Sequence, residues 1–342
     1  MREQREIGVA VVGLGYWGSN VARNLDAIDG CRLIRCCDLD PGRHQGGGAA
    51  FEEADFTEDL ATILADPAVE AIAIATPVPS HAEVALRALE AGKHCFVEKP
   101  MAQTVADAEA LVARAGEQEL ILMAGHLLEY HPGVEELKAI LASGQLGEVR
   151  YLYSQRLNLG QLRSDENALW SLGAHDVSVV LALTEEFPLV VSARGESFVR
   201  DGVEDMVFCF LRFGSGVVAH LHLSWLDPHK ERRVTVVGSQ RMATFDDMSE
   251  RKLTIFDKGF DPEDGTGGGF VTRSGGTRSP ALPALEPLRL ELEHFVECVR
   301  DGRAPRSDGE SGLRVVRVLD ALQRSLEAGG AEVALEPVQA AR

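Results

Sequence analysis

One hexapeptide constrains this chain more than any other feature. Gly13-Leu-Gly15-Tyr16-Trp17-Gly18 follows an apolar run, Ile7 to Val12, and opens a helical stretch, Tyr16 to Ala27, with Gly30 as its stop. Between a strand and a helix, each glycine meets a separate demand. Gly13 makes the tight turn, Gly15 lets the backbone approach a pyrophosphate, and Gly18 lets the helix pack closely on the strand. The helix mouth then presents unpaired N–H groups to the phosphates. Asp38 lies 20 residues beyond Gly18, at the end of a second apolar run, Arg32 to Cys37. A carboxylate there accepts from adenosine ribose hydroxyls and repels a 2′-phosphate, so the pattern predicts NAD(H) over NADP(H). Tyr16 and Trp17, inside the turn, join the glycines and Asp38 as cofactor-binding candidates, and Arg43 reads as a solvated loop charge.

The first 124 residues alternate strand and helix signals, the signature of βαβ units on a parallel sheet. Ala71–Ala75, His94–Val97 and Leu120–Ala124 are short apolar runs of the kind that lie buried on both faces. Ser80 and Glu83 form a capping-box pattern for the helix that Gly92 ends, and Thr104 opens another. Beyond residue 124 the texture changes. Pro132–Ser143 looks helical, and strand-like runs follow at Val149–Leu157, Leu189–Gly195, Met206–Phe213, Val217–Trp225 and Arg232–Val237. Turn pairs between them predict a mainly antiparallel, open sheet. Gly259–Pro283 reads as a mobile loop, and helical patterns return at Leu288–Arg300 and Gly312–Leu326. The expected architecture is therefore α/β: an N-terminal doubly wound Rossmann domain over residues 1–124, then an α+β substrate-binding and oligomerisation domain over residues 125–342.

Charge narrows the partners. With 34 Lys and Arg against 53 Asp and Glu, the formal net charge is −19, which repels nucleic-acid backbones and anionic membranes. No run approaches the ~18 apolar residues of a membrane span, and the charged start lacks the pattern of a signal peptide. The six scattered cysteines contain no C-x-x-C pair and fit buried thiols in a reducing cytoplasm. His220 and His222 share a strand face, but no further ligand spacing accompanies them, so no metal is expected.

Glu98-Lys99-Pro100 follows the buried strand His94–Val97. Proline holds its predecessor extended, so Lys99 should project from the carboxyl edge of the sheet, where ligands bind in open α/β folds. Together with the glycine turn, Ala75-Thr76-Pro77 with His81 and Gly173-Ala-His175-Asp176, this segment resembles the glucose–fructose oxidoreductase, inositol dehydrogenase and rhizopine catabolism (Gfo/Idh/MocA) family over essentially the whole chain. The resemblance implies a Rossmann domain, an open-faced C-terminal sheet often used in oligomer contacts, and hydride transfer between a sugar or cyclitol carbon and a nicotinamide. It implies that Thr76, Pro77 and His81 line the nicotinamide side, with Glu98 and Lys99 beside them. Family members commonly carry Asp, three residues, then His; here His175 matches the histidine and Ser171 stands where the aspartate belongs.

Oxidising a secondary alcohol moves a hydride to the nicotinamide while a proton leaves the hydroxyl. An imidazole suits the proton transfer, and an ammonium stabilises the developing alkoxide. His175 is assigned as acid/base and Lys99 as its electrostatic partner, with the reverse assignment open. The segment from Arg156 to Trp170, including Asn158, Gln161, Arg163 and Asp165, is rich in hydrogen-bonding groups and ends in an aromatic. Arg156, Arg163 and Trp170, with Lys99 and His175, are the substrate-binding candidates. The leading expectation is an NAD(H)-dependent dehydrogenase or ketoreductase of a nucleotide-linked or phosphorylated sugar, acting at C3 by analogy with relatives, in a cytoplasmic homodimer or homotetramer. A cyclitol or aldose dehydrogenase is the alternative, and a non-catalytic NAD-binding sensor is a third reading, suggested by Ser171.

Overall fold

The computed structural model describes residues 5–43, 54–160, 162–163, 166–263 and 269–336. They divide into two compact units, Met1–Tyr130 with Leu285–Val316, and His131–Ala284 with Arg317–Arg342.

The first unit is built on a six-stranded, wholly parallel sheet. Its strands are β1 (Ile7–Val12), β2 (Cys31–Cys37), β3 (Asp55–Thr57), β4 (Ala71–Ile74), β5 (His94–Glu98) and β6 (Leu122–Gly125), in the order β3-β2-β1-β4-β5-β6. Helices α1 (Tyr16–Asp26), α2 (Leu60–Ala65), α3 (His81–Glu90) and α4 (Val105–Glu117) make the connections. Every residue of β1, β4 and β6 is buried, which is why these strands read as unbroken apolar runs rather than alternating ones. Strand order reverses between β1 and β4, so the loops leaving their carboxyl ends diverge and open a crevice there.

The second unit carries a nine-stranded sheet ordered β14-β13-β12-β11-β7-β10-β9-β8-β15. Its strands are β7 (Val149–Leu159), β8 (Val190–Glu196), β9 (Met206–Arg212), β10 (Val218–Ser224), β11 (Leu226–Gly238), β12 (Met242–Asp246), β13 (Leu253–Pro262), β14 (Phe270–Arg278) and β15 (Val333–Ala334). All pairs are antiparallel except β7 with β10. Helices α5 (Pro132–Ala142) and α6 (Ala168–Thr184) belong to this unit. Val207, Cys209 and Leu211 of β9 point inward, while Phe208 and Phe210 stay partly exposed, so one sheet face is covered and the other is open.

Two expectations change. The stretch Gly259–Pro283 is not simply a loop. β13 and β14 pair across it from Ile255–Arg278 to Pro262–Phe270, because Phe260, Val271 and Thr272 are good strand formers; residues 264–268 lie outside the described residues. The domain boundary also shifts. Residues 285–316, expected in the second domain, belong to the first unit: Leu288, Leu292, Phe295, Val296 and Val299 of α7 (Pro287–Asp301) enter the same core as Ile7, Val9 and Phe96. A last helix, α8 (Gly309–Glu327), follows. Among the described residues no helix is long and apolar enough to cross a membrane.

Candidate active site

The first unit gathers its candidates at the carboxyl ends of β1, β2, β4 and β5. Gly13 takes φ +91°, and a Cβ there would sit 2.7 Å from the Ala75 carbonyl and the Thr76 nitrogen. A Cβ on Gly18 would overlap the Gly13 carbonyl oxygen. Gly15 differs. A Cβ on it would meet no atom of the described residues within 4 Å, so nothing among them requires a glycine there. Among the described residues no side chain caps the first turn of α1, and no acidic residue sits in that turn. A bare backbone at a positive helix end, smallest where no protein atom needs the room, fits a dinucleotide pyrophosphate.

Asp38 is anchored rather than loose. Its Oδ2 accepts from the Leu14 N–H at 2.6 Å and its Oδ1 from the Asp40 N–H at 2.9 Å. The carboxylate thus ties the glycine turn to the end of β2 while remaining half-exposed. Arg43 pairs with Asp40 at 3.6 Å, in keeping with a surface charge. Tyr16 is 85% exposed at the start of α1. Trp17 turns the other way: its indole Nε1 donates to Glu98 Oε1, joining the glycine turn to the end of β5.

Glu98 is buried, and its Oε2 accepts from the Lys99 N–H at 3.2 Å. Burial pushes its carboxyl up to about 7, against the pull of Lys99 and the Trp17 bond. Lys99 itself is half-buried, immediately beyond the strand. His126, one residue past β6, completes this edge and was not singled out from the sequence. Burial, with the Lys99 charge adding to it, lowers its imidazole to about 4, and neither ring nitrogen has a hydrogen-bond partner among the described residues. The signal was available: Gly125 pairs with Glu98 across β5 and β6, so the residue after Gly125 lies beside Lys99 in register. Glu291 of α7 is a second surprise. It is fully buried, and its carboxyl is raised far above the ordinary range by burial and by the charges of Glu98 and Glu129.

Thr76 and Pro77 are accessible at the end of β4, whereas His81 is 1% exposed and faces protein. Its Nδ1 lies 2.9 Å from the Pro100 carbonyl and its Nε2 lies 2.8 Å from the Thr76 carbonyl. The capping box expected at Ser80 is not formed. The Ser80 hydroxyl turns back to Thr76 Oγ1 and the Pro77 carbonyl, each at 2.8 Å, and leaves the α3 N–H groups uncapped by it.

In the second unit, Trp170, Ser171, His175 and Asp176 all lie on α6, opened by Asn167, whose side chain accepts from the Trp170 N–H at 3.2 Å. Trp170 and His175 are half-buried. Asp176 does not stand in for the missing aspartate of the Ser171 position, since both its oxygens are taken: Oδ1 by Ser154 and Oδ2 by Arg156. Arg156 is correspondingly 7% exposed, its Nε 2.5 Å from Asp176, and serves the interior of this unit rather than presenting a cation to a ligand. Arg163 is exposed and pairs with Glu166 at 2.9 Å. Gln161, Ser164 and Asp165 lie outside the described residues. His220 and His222 stack on Phe208 on the open sheet face, and Trp225 is buried.

The parallel sheet, the uncapped glycine turn and a lysine at the sheet's carboxyl edge define a dinucleotide-dependent oxidoreductase. Comparison with known sequences agrees. The model of the oxidoreductase family with an NAD-binding Rossmann fold matches residues 7–126, and that of the GFO/IDH/MocA C-terminal domain matches residues 134–244. The chain belongs to the Gfo/Idh/MocA oxidoreductase family. It is 31% identical to the UDP-N-acetylglucosamine 3-dehydrogenase of Acidithiobacillus ferrooxidans over 93% of this chain and 96% of that protein. A solved structure of that enzyme aligns with a TM-score of 0.82 at 28% identity, covering 95% of this chain and 98% of the other. The scyllo-inositol 2-dehydrogenase (NAD(+)) of Bacillus subtilis is 25% identical over 88% of this chain and 89% of its own. The aldose-aldose oxidoreductase of Caulobacter crescentus aligns with a TM-score of 0.81 at 26% identity, over 97% of this chain and 100% of that one.

Proposed function

We propose that this enzyme transfers a hydride between NAD(H) and a secondary alcohol or ketone of a nucleotide-linked sugar, at C3. One observation carries the cofactor half of this reading: the glycine turn, Asp38, the Trp17–Glu98 bond and Lys99 are joined along one edge of the parallel sheet. The likeness to the UDP-N-acetylglucosamine 3-dehydrogenase, spanning nearly the full length of both chains, supports the sugar half. Gly13, Gly15 and the mouth of α1 would hold the pyrophosphate, Asp38 the adenosine ribose, and Thr76 and Pro77 the nicotinamide. When bound, the nicotinamide supplies the hydride acceptor or donor.

The remaining chemistry falls to the chain's own side chains. The Lys99 ammonium stabilises negative charge on the reacting oxygen, and His175 takes or returns the hydroxyl proton. Trp170, five residues before His175 on α6, offers a flat platform for a sugar, and Arg163, exposed on the surface of the same unit beside Glu166, would exchange that partner for a diphosphate. Asp38 favours NAD(H) over NADP(H), and Leu39, 86% exposed, adds no positive charge for a 2′-phosphate. Six free thiols suit a reducing, cytoplasmic setting. The partly exposed Phe208 and Phe210 of the open sheet face are where copies would meet in a homo-oligomer.

The test is a dehydrogenation assay with UDP-N-acetylglucosamine and NAD+, read at the absorbance of reduced nicotinamide, with NADP+, scyllo-inositol and free aldoses as parallel arms. Reduction of NAD+ by the sugar nucleotide, well above the other arms, is expected. Faster turnover of the inositol or a free aldose overturns the nucleotide-sugar assignment.

A further inference from the structure

His81 is the first residue of α3, buried at 1% exposure, and it touches two segments that the proposed reaction uses. Its Nε2 meets the carbonyl of Thr76, in the turn that receives the nicotinamide. Its Nδ1 meets the carbonyl of Pro100, directly after Lys99. We propose that His81 is a positioning residue for hydride transfer: one imidazole ties the nicotinamide turn to the lysine turn, so that cofactor ring and ammonium are set against each other by a single side chain. The inference rests on the placement of nicotinamide at Thr76–Pro77 given above.

The chemistry of the two contacts supports a tie rather than simple core filling. Both partners are carbonyl oxygens, which only accept, so each bond needs an N–H from the ring. An imidazolium has two and a neutral imidazole has one, leaving its other nitrogen facing an oxygen lone pair. Burial pulls the imidazole below its ordinary basicity, the two carbonyls pull it back up, and the Lys99 charge sides with burial. A phenylalanine would fill the same space without confronting two carbonyls. Ser80 braces the same turn, its hydroxyl reaching Thr76 Oγ1 and the Pro77 carbonyl. The tie spans 19 residues to Pro100 and 5 to Thr76, so no local backbone preference duplicates it.

The two contacts are separable by substitution. An asparagine amide nitrogen falls near the Nδ1 position and a glutamine amide nitrogen near the Nε2 position. His81→Asn therefore keeps a donor for Pro100, His81→Gln keeps one for Thr76, and His81→Phe keeps neither. The full-length protein and the three variants are compared by amide hydrogen exchange without ligand, and by NADH titration read from the fluorescence of the bound dihydronicotinamide. Faster exchange over residues 75–80 and 98–102 is expected in His81→Phe, with NADH affinity weakened about tenfold, the scale of one lost buried hydrogen bond. His81→Gln should restore protection of 75–80 and recover NADH affinity while 98–102 stay loosened; His81→Asn should show the reverse pattern. Should His81→Phe misfold, the Asn and Gln pair still decides. Identical exchange and affinity in those two variants overturns the proposal. Loss of NADH binding in the unsubstituted protein would instead overturn the cofactor assignment, and the exchange pattern would still judge the tie.

Discussion

Replacing Glu98 by Gln gives a sharp test of how the site is held. In the folded protein burial raises this carboxyl from its ordinary 4.5 to about 7. The folded state therefore binds the proton more tightly than the unfolded chain, and Glu98 opposes folding increasingly as pH rises from the unfolded value through the folded one. A shift of that size corresponds to roughly 3 kcal/mol in total, most of which develops between about pH 5 and about pH 8. Glutamine does not ionise, so the stability difference between Glu98→Gln and the parent should move in the variant's favour by about that amount over the same interval. The offset between the two curves is set by hydrogen bonding: an amide oxygen still accepts from Trp17, but an amide nitrogen cannot accept from the Lys99 N–H. The Glu98 charge also helps to raise the buried Glu291 carboxyl, so removing it relieves that group as well and the variant's gain includes this coupling. Urea unfolding followed by Trp17 fluorescence, in a Trp170→Phe, Trp225→Phe background, reports the first unit alone. Parallel stability curves across the pH range would refute the reasoning, because Glu98 would then titrate alike in folded and unfolded chains.

Two further outcomes bear on the site. Lys99→Met should retain NADH binding by fluorescence titration and lower turnover by about two to four orders of magnitude, the range for removing one charge-stabilising group; near-normal turnover removes Lys99 from the chemistry. Gly15→Ala and Gly18→Ala should separate binding from folding. The first meets no atom of the described residues within 4 Å and should keep the melting temperature while weakening NADH, whereas the second collides with the Gly13 carbonyl and should lower the melting temperature; equal melting temperatures and affinities for the two variants contradict the assignment of their roles.

Much of the site could be read in order along the chain. The strand before the glycine turn, the helix after it, Asp38 at the end of β2 and Lys99 beyond β5 all lie where sequence patterning puts them, because each depends on neighbours a few residues away. Helix α6 was harder to see. It is buried on nearly every side and contains Gly173 and a run of β-branched residues, so the 3.6-residue alternation of an amphipathic helix is absent. The Ser80–Glu83 pattern misled for a related reason: a hydroxyl can donate as well as accept, and the Ser80 hydroxyl sits against Thr76 Oγ1 and the Pro77 carbonyl instead of accepting from the helix N–H groups.

By itself the sequence determined the class of fold, the cofactor turn and the residue types at the chemical edge, since glycine spacing and strand ends are local properties of the backbone. Only the tertiary structure decided what each polar side chain faces. Arg156 proved to be the buried partner of Asp176 across 20 residues, His81 a buried imidazole set between the carbonyls of Thr76 and Pro100, and His126 and Glu291 buried ionisable groups of the first unit. The physical reason is that solvation and charge pairing fall off over a few ångströms of space, whereas the residues sharing that space come from strands and helices far apart in the chain.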